Sequence, residues 1–305
     1  MKVLKPAFIT LLIGSVFAGC NNQPTDPELL RIPYTSTLDQ EQHHFFLYLP
    51  AGYKDRQNDW PVILFLHGDG ERGNGNNELD YVMIHGPLYE AWIQKRNLPF
   101  IMIVPQLPMF GRDTLGYDYL SKRDKSKIPK RLKEGVPDRP ANFPTNYPMM
   151  GSIAADSLPY ITLPQGWDLV ESDLIGILDN VKAQYHVDKN RIYLTGLSYG
   201  GFGTWHMASV HPNLFAAIAP IVGWGHPSLM KPIADANIPV WAFSGGRDRV
   251  VPTTYFYPGI NELEKLGDTR VRFTVEEDMG HDTWKRVYSG DDIYHWFLHY
   301  QLNHP

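Results

Sequence analysis

The residues best placed to do chemistry form the pentapeptide Gly196-Leu197-Ser198-Tyr199-Gly200. It lies between an apolar run, Arg191 to Thr195, that reads as a buried strand, and a helix-like run, Gly201 to Val210. A serine on such a strand-to-helix turn is held in a strained backbone conformation, with its hydroxyl pushed out beside the first amides of the helix. Glycines flank it because side chains there would strike the neighbouring strand and helix. This is where an acyl-transfer nucleophile belongs, and it would need a base, an orienting acid and donors for an oxyanion.

Open sheets with parallel strands place such groups on loops at the carboxyl ends of the strands. After the strand-like Val240 to Phe243 comes a glycine-relaxed loop holding Asp248, the expected acid. After Val271 to Val275 comes Gly280-His281, and His281 is the expected base, since an imidazole titrates near neutrality. Asp278 and Asp282 flank the histidine too closely to face its ring, and Asp235 falls in a helix-like stretch. His206, His211, His295 and His299 lie on helix-like stretches and read as structural or exposed. One oxyanion donor is expected from the Tyr199 N–H. The other is expected from the loop His67-Gly68-Asp69-Gly70-Glu71-Arg72-Gly73, through Gly68 or Asp69, which the sequence does not separate. Glu71 and Arg72 are placed to form an ion pair.

Alternating elements must position these groups. His44 to Leu49, Pro61 to Leu66, Phe100 to Val104 and Phe215 to Ile221 read as further strands. Asn77 to Ile84, Leu88 to Arg96, Asp168 to Tyr185 and Asp291 to Leu302 read as helices. Continuous apolar strands separated by helices predict an α/β fold, a mostly parallel central sheet covered on both faces. Leu107 to Gly166 breaks the rhythm; it is proline-rich and without clear period, and is expected to form an inserted cap or lid. Within it, Lys122 to Lys133 carries seven basic residues against one acid. That run reads as a solvated surface or, alternatively, as a basic rim that attracts an anionic substrate.

The chain has 305 residues, a formal charge of −5 and one cysteine. The charge gives no global field for nucleic acid, and a lone cysteine forms no intramolecular disulfide. Lys2 and Lys5 precede an apolar stretch, Ala7 to Ala18, too short for a comfortable membrane span. Phe17-Ala18-Gly19-Cys20 then has the pattern of a lipoprotein cleavage site. The expectation is a signal peptide over 1–19, lipidation of Cys20, a tether over 20–40 and a catalytic domain over 41–305. The protein would be exported and held at the cell envelope by its N-terminal lipid alone, at the outer membrane in a Gram-negative cell. Gly68 to Gly73 matches GxGxxG, but neither a helix nor a strand-end acid follows, so a dinucleotide site is not expected. Metal-ligand spacings and Walker loops are absent from the sequence; no metal and no cofactor is expected.

With these residues in view, the chain resembles the α/β-hydrolase superfamily. More narrowly, it is similar to the bacterial peptidase/esterase group related to polyhydroxybutyrate depolymerases and to feruloyl and acetyl-xylan esterases. His67 to Gly73, RIYLTGLSYGGFGTW from Arg191 to Trp205, FAAIAPIVG from Phe215 to Gly223, Gly245 to Pro252 and Gly280 to Trp284 carry the resemblance. It implies a cofactor-free serine hydrolase with nucleophile Ser198, acid Asp248 and base His281. Small-molecule or plant-polysaccharide esters, feruloyl or acetyl, are the expected substrates. Trp167, Trp224 and Trp284 are candidate flat contacts for sugars or aromatic acyl groups, core packing being the alternative for each. A serine peptidase or amidase with the same triad is the alternative, and a non-catalytic glycan-binding lipoprotein is the rival from another class. The sequence leaves the oligomeric state open.

Overall fold

A computed structural model describes residues 24–55, 58–139, 143–268 and 270–302. The proposed signal peptide and Cys20 lie outside the described residues. Eight strands form one sheet: β1 (Glu28–Thr35), β2 (Gln42–Leu49), β3 (Trp60–Leu66), β4 (Ile101–Val104), β5 (Val187–Leu197), β6 (Ala217–Ile221), β7 (Val240–Gly245) and β8 (Val271–Glu276). Their order is β1-β2-β4-β3-β5-β6-β7-β8. Pairings β1–β2 and β2–β4 are antiparallel, and β4 through β8 run parallel. Helices are α1 (Asp118–Ser121), α2 (Glu171–Gln184), α3 (Tyr199–Val210), α4 (Met230–Asp235), α5 (Tyr257–Lys265), α6 (Trp284–Ser289) and α7 (Asp292–Leu298).

Side chains alternate across the central strands and build two cores. Val62, Leu64 and Leu66 of β3 face one way and pack with Leu174 and Leu178 of α2 and Trp205 of α3. Ile63 and Phe65 face the other way, among Tyr288 of α6 and Tyr294 and Phe297 of α7. Both faces of the sheet are therefore covered, which is why the strands read as continuous apolar runs.

The structure corrects three expectations. Residues 28–35, assigned to the tether, are an edge strand: β1 pairs along its whole length with β2. Its side chains alternate half-buried and exposed at the sheet's edge, a weak signal in sequence. Second, 77–84 and 88–96 carry single turns, Leu79–Met83 and Tyr89–Ile93, rather than full helices. Gly86 separates them at φ +89, where a Cβ would lie 2.2 Å from the Phe65 ring. The chain there bends tightly over β3 and cannot continue a helix. Third, the closing helix α7 ends at Leu298.

The turn after β1 is tied to α2 by one buried carboxylate. Asp173 accepts hydrogen bonds from Ser36 Oγ, the Thr37 N–H and Thr37 Oγ1 at 2.5, 2.6 and 2.7 Å. Asp173→Ala strands these donors, and Ser36 is itself buried. The variant is expected to lose about 2 kcal/mol of stability, read as a lower urea midpoint with an unchanged slope.

Candidate active site

Ser198 stands between β5 and α3 with φ 51 and ψ −117. The turn is forced by close backbone approach: a Cβ on Gly200 would lie 1.8 Å from the Leu66 carbonyl oxygen. The Ser198 N–H is bonded to the Ile221 carbonyl at 2.9 Å, fixing the turn to the end of β6.

His281 follows β8, with Nε2 at 3.0 Å from Ser198 Oγ and Nδ1 at 2.8 Å from Asp248 Oδ2. Asp248, fully buried beyond β7, also accepts the N–H groups of Val250 and Val251 at 2.8 and 2.9 Å. These bonds aim its second oxygen at the imidazole. A carboxylate on Nδ1 holds the proton there and leaves Nε2 to accept the serine hydroxyl's. The rival acids are engaged elsewhere. Asp278 takes Arg286 at 2.6 and 2.8 Å, which holds its carboxyl down at about 2. Asp282 takes Lys285 and Asp235 takes Lys231. His206 and His211 both bond Glu171, and the His299 ring bonds the His295 carbonyl.

Across from the imidazole lies the loop after β3. The Tyr199 N–H opens α3 and has no acceptor within the helix. Asp69 opens a single turn, Asp69–Glu71. Neither the Gly68 nor the Asp69 amide takes a backbone acceptor among the described residues, so both are candidate donors. The proposed Glu71–Arg72 ion pair does not form. Arg72 Nε donates to Asp69 Oδ1 instead, because a tight turn puts residues three apart on one side. Burial alone would raise the Asp69 carboxyl; Arg112, Arg72 and the Tyr119 hydroxyl together hold it below its ordinary range.

Arg72, with no exposed surface, sends its remaining nitrogens to the Pro108 and Gln165 carbonyls at 2.8 and 2.7 Å. Those carbonyls sit at the two ends of the 107–166 segment. Arg112 bonds Asp69 at 2.7 Å, and Tyr119 bonds the same carboxylate at 2.7 Å. Within the basic run, Arg123 donates to the Arg72 carbonyl and to Glu78, and Arg131 lies 4.2 Å over the Trp92 ring. Both are structural ties. On the other side of the site, Thr145 and Met150 bond the Asp278 and Gly246 carbonyls. The sequence signalled none of this network, apart from the unusual density of charge between glycines.

Of the three tryptophans, only Trp284 faces the site. Its ring meets His281 edge-on at 5.2 Å and His85 at 5.4 Å. It borders a cavity of about 280 Å³ whose lining includes Phe143, Tyr89, Tyr288, Glu90 and Arg139. Trp167 is buried behind the loop, its Nε1–H donating to the His67 carbonyl at 3.1 Å. Trp224 is buried between Phe202 and Tyr255. Neither presents an open face to a ligand; both fill the core that backs the site. No group of metal-ligating side chains occurs among the described residues.

The fold is that of the α/β-hydrolases, and the site is assembled as a serine hydrolase's is. Residues 169–231 match the model of the prolyl oligopeptidase family. Over 47 residues the chain is 49% identical to poly(3-hydroxyalkanoate) depolymerase C of Paucimonas lemoignei, covering 15% of this chain and 11% of the relative. Over 78 residues it is 35% identical to the bifunctional acetylxylan esterase/xylanase XynS20E of Neocallimastix patriciarum, covering 25% and 11%. The match therefore spans about a tenth of each relative's length. Among solved structures, a thermostable esterase superposes with a TM-score of 0.61 at 24% identity, over 90% of this chain and 63% of that one. A ferulic acid esterase superposes with a TM-score of 0.54 at 14% identity, over 88% and 96%.

Two predictions test this geometry. Asp248→Asn is expected to lower kcat about 10⁴-fold by favouring the wrong imidazole tautomer, whereas Asp278→Asn should stay within about threefold of the parent; steady-state rates on one small ester compare them. Glu71 supplies the second. Burial raises its carboxyl from 4.5 to about 7. His67 and His85, within 4 Å, are pushed down to about 3 and about 4 by burial and stay neutral beside it. A raised carboxyl favours the folded state fully below about 4.5 and loses that advantage as pH rises through 7. Glu71→Gln should therefore gain on the parent across that window, by on the order of 3 kcal/mol, in urea titrations at pH 4.5 and 7.5.

Proposed function

We propose that the protein is a serine carboxylic ester hydrolase working through an acyl-enzyme, with plant-polysaccharide esters as substrates. The observation that carries this reading is the hydrogen-bonded line from Ser198 through His281 to the buried Asp248. His281 takes the Ser198 proton as Oγ attacks the ester carbonyl. The tetrahedral oxyanion is held by the amide of Tyr199 and one from Gly68 or Asp69. His281 then gives its proton to the departing alcohol, and later draws one from the water that frees the acid. The reaction needs no cofactor.

The cavity beyond Trp284, lined by aromatic rings, suits a planar acyl group and supports a feruloyl ester over an acetyl one. The segment 107–166 acts as a cap in this reading, bonded to both the oxyanion loop and the acid loop. Export and attachment through a lipidated Cys20 would bring the enzyme to polymers outside the cell. A serine peptidase with the same triad is the second reading, favoured by the match of 169–231 to the prolyl oligopeptidase family.

The test is a panel: p-nitrophenyl acetate, methyl ferulate, acetylated xylan and a peptide amide, each with the parent protein and with Ser198→Ala. Ester turnover that drops by at least about 10³-fold in the variant is the expected result. Ser198-dependent turnover of the peptide alone would overturn the ester reading in favour of the peptidase.

A further inference from the structure

The 107–166 segment leaves an unusual amount of apolar surface in water. Among the described residues, ten of the fifteen large apolar side chains that stand exposed belong to it. Most are scattered, but Tyr117 and Tyr119 are not. Their rings stack at 5.6 Å and 19° beside the start of α1, while they remain 41% and 52% exposed.

Both rings connect to groups beside the nucleophile. The Tyr119 hydroxyl donates to Asp69, on the loop beside the nucleophile. The Tyr117 ring lies 5.2 Å from the Arg112 guanidinium, and that guanidinium lies 5.1 Å from the ring of Tyr199, next to the nucleophile. Arg72 reaches the Tyr199 ring at 4.6 Å. Rings and guanidinium groups thus alternate from the buried oxyanion loop out to the exposed pair. The Tyr119 hydroxyl bond anchors its ring and Tyr117 stacks against it, while both stay exposed. A rigid aromatic with few torsions gives up little entropy when it is covered.

We propose that the Tyr117–Tyr119 stack is a carbohydrate subsite, which takes a sugar ring of the alcohol side of the ester on the oxyanion-loop side of the site. The C–H face of a pyranose lies on a flat ring, and its hydroxyls find the exposed Lys122–Asp118 ion pair that spans the short helix carrying Tyr119. An apolar polyester chain offers this exposed ion pair no hydroxyls, so the polar border favours a sugar. This inference rests on the ester-hydrolase reading for the position of the scissile bond; the binding of sugar itself does not.

Xylohexaose, which carries no ester, tests binding by titration calorimetry with the parent protein, Tyr117→Ala and Tyr117→Phe. The expected result is a loss of about tenfold in affinity for Tyr117→Ala and recovery in Tyr117→Phe, which keeps the ring. In turnover of acetylated xylo-oligosaccharides, Tyr117→Ala should raise KM by a similar factor with kcat held. Its loss in kcat/KM there should exceed its loss on p-nitrophenyl acetate about tenfold. No binding of xylohexaose by the parent protein, equal binding by Tyr117→Ala, or equal losses on both substrates would overturn the subsite. Tyr117-dependent xylohexaose binding without Ser198-dependent turnover of any ester would support the subsite and overturn the ester reading instead.

Discussion

The close approach of two backbones beneath Ser198 is the constraint on which the site depends. α3 starts so near the end of β3 that only glycine fits at position 200, with the Leu66 carbonyl directly beneath. That proximity sets the positive φ of Ser198, which costs about 1–3 kcal/mol of local strain. The strain is held by the Ser198 N–H on the Ile221 carbonyl and by the start of α3, where the Phe202 N–H returns to the Ser198 carbonyl. The packing of β3, β5 and β6 between two apolar layers makes this arrangement worth its cost. Because β3 ends under the same turn, the loop that begins at His67 emerges beside the nucleophile without any further device.

A second level of order comes from charge rather than from apolar packing. Arg72 and Asp69 are buried, and a buried ion pair gains little over an apolar pair of similar size. Their worth is geometric. One guanidinium plane carries three bonds in fixed directions: to Asp69, to the Pro108 carbonyl and to the Gln165 carbonyl. It therefore brings together the two ends of a long segment with little regular structure, opposing the entropy of closing so long a loop. A lysine could not do this, since its donors radiate from a point. The same carboxylate that receives Arg72 also receives Arg112 and Tyr119 from within the segment. The loop beside the nucleophile and the segment above it are thus one hydrogen-bonded unit.

The sheet and the three residues of the triad were legible in the sequence for a shared reason. Buried parallel strands are apolar without interruption, and the catalytic groups follow them at short, glycine-marked distances. Ser198, Asp248 and His281 each sit within a few residues of a strand end, so strand recognition alone placed them. β1 was not legible because an edge strand buries only alternate side chains, and polar residues around 24–41 mimic a tether. Trp167 and Trp224 stood between two readings, because composition does not distinguish a tryptophan that fills the core behind a site from one that lines it; both fill the core. The partner of Arg72 was misread by two positions. Sequence adjacency suggested Glu71, whereas the turn geometry joined Arg72 to Asp69.

Glu71 shows how much a single turn can separate. It lies two residues from Asp69, yet the two carboxyls move in opposite directions: two guanidinium groups hold Asp69 low, while burial among neutral imidazoles lifts Glu71. One side of the loop therefore carries a fixed negative charge that anchors the segment above. The other side carries an acid buried against His67 and His85. The sequence could not choose between Gly68 and Asp69 as oxyanion donor because both precede the same glycine-rich stretch. Both amides belong to the turn that Arg72 and Arg112 brace through Asp69, so either is held beside the nucleophile.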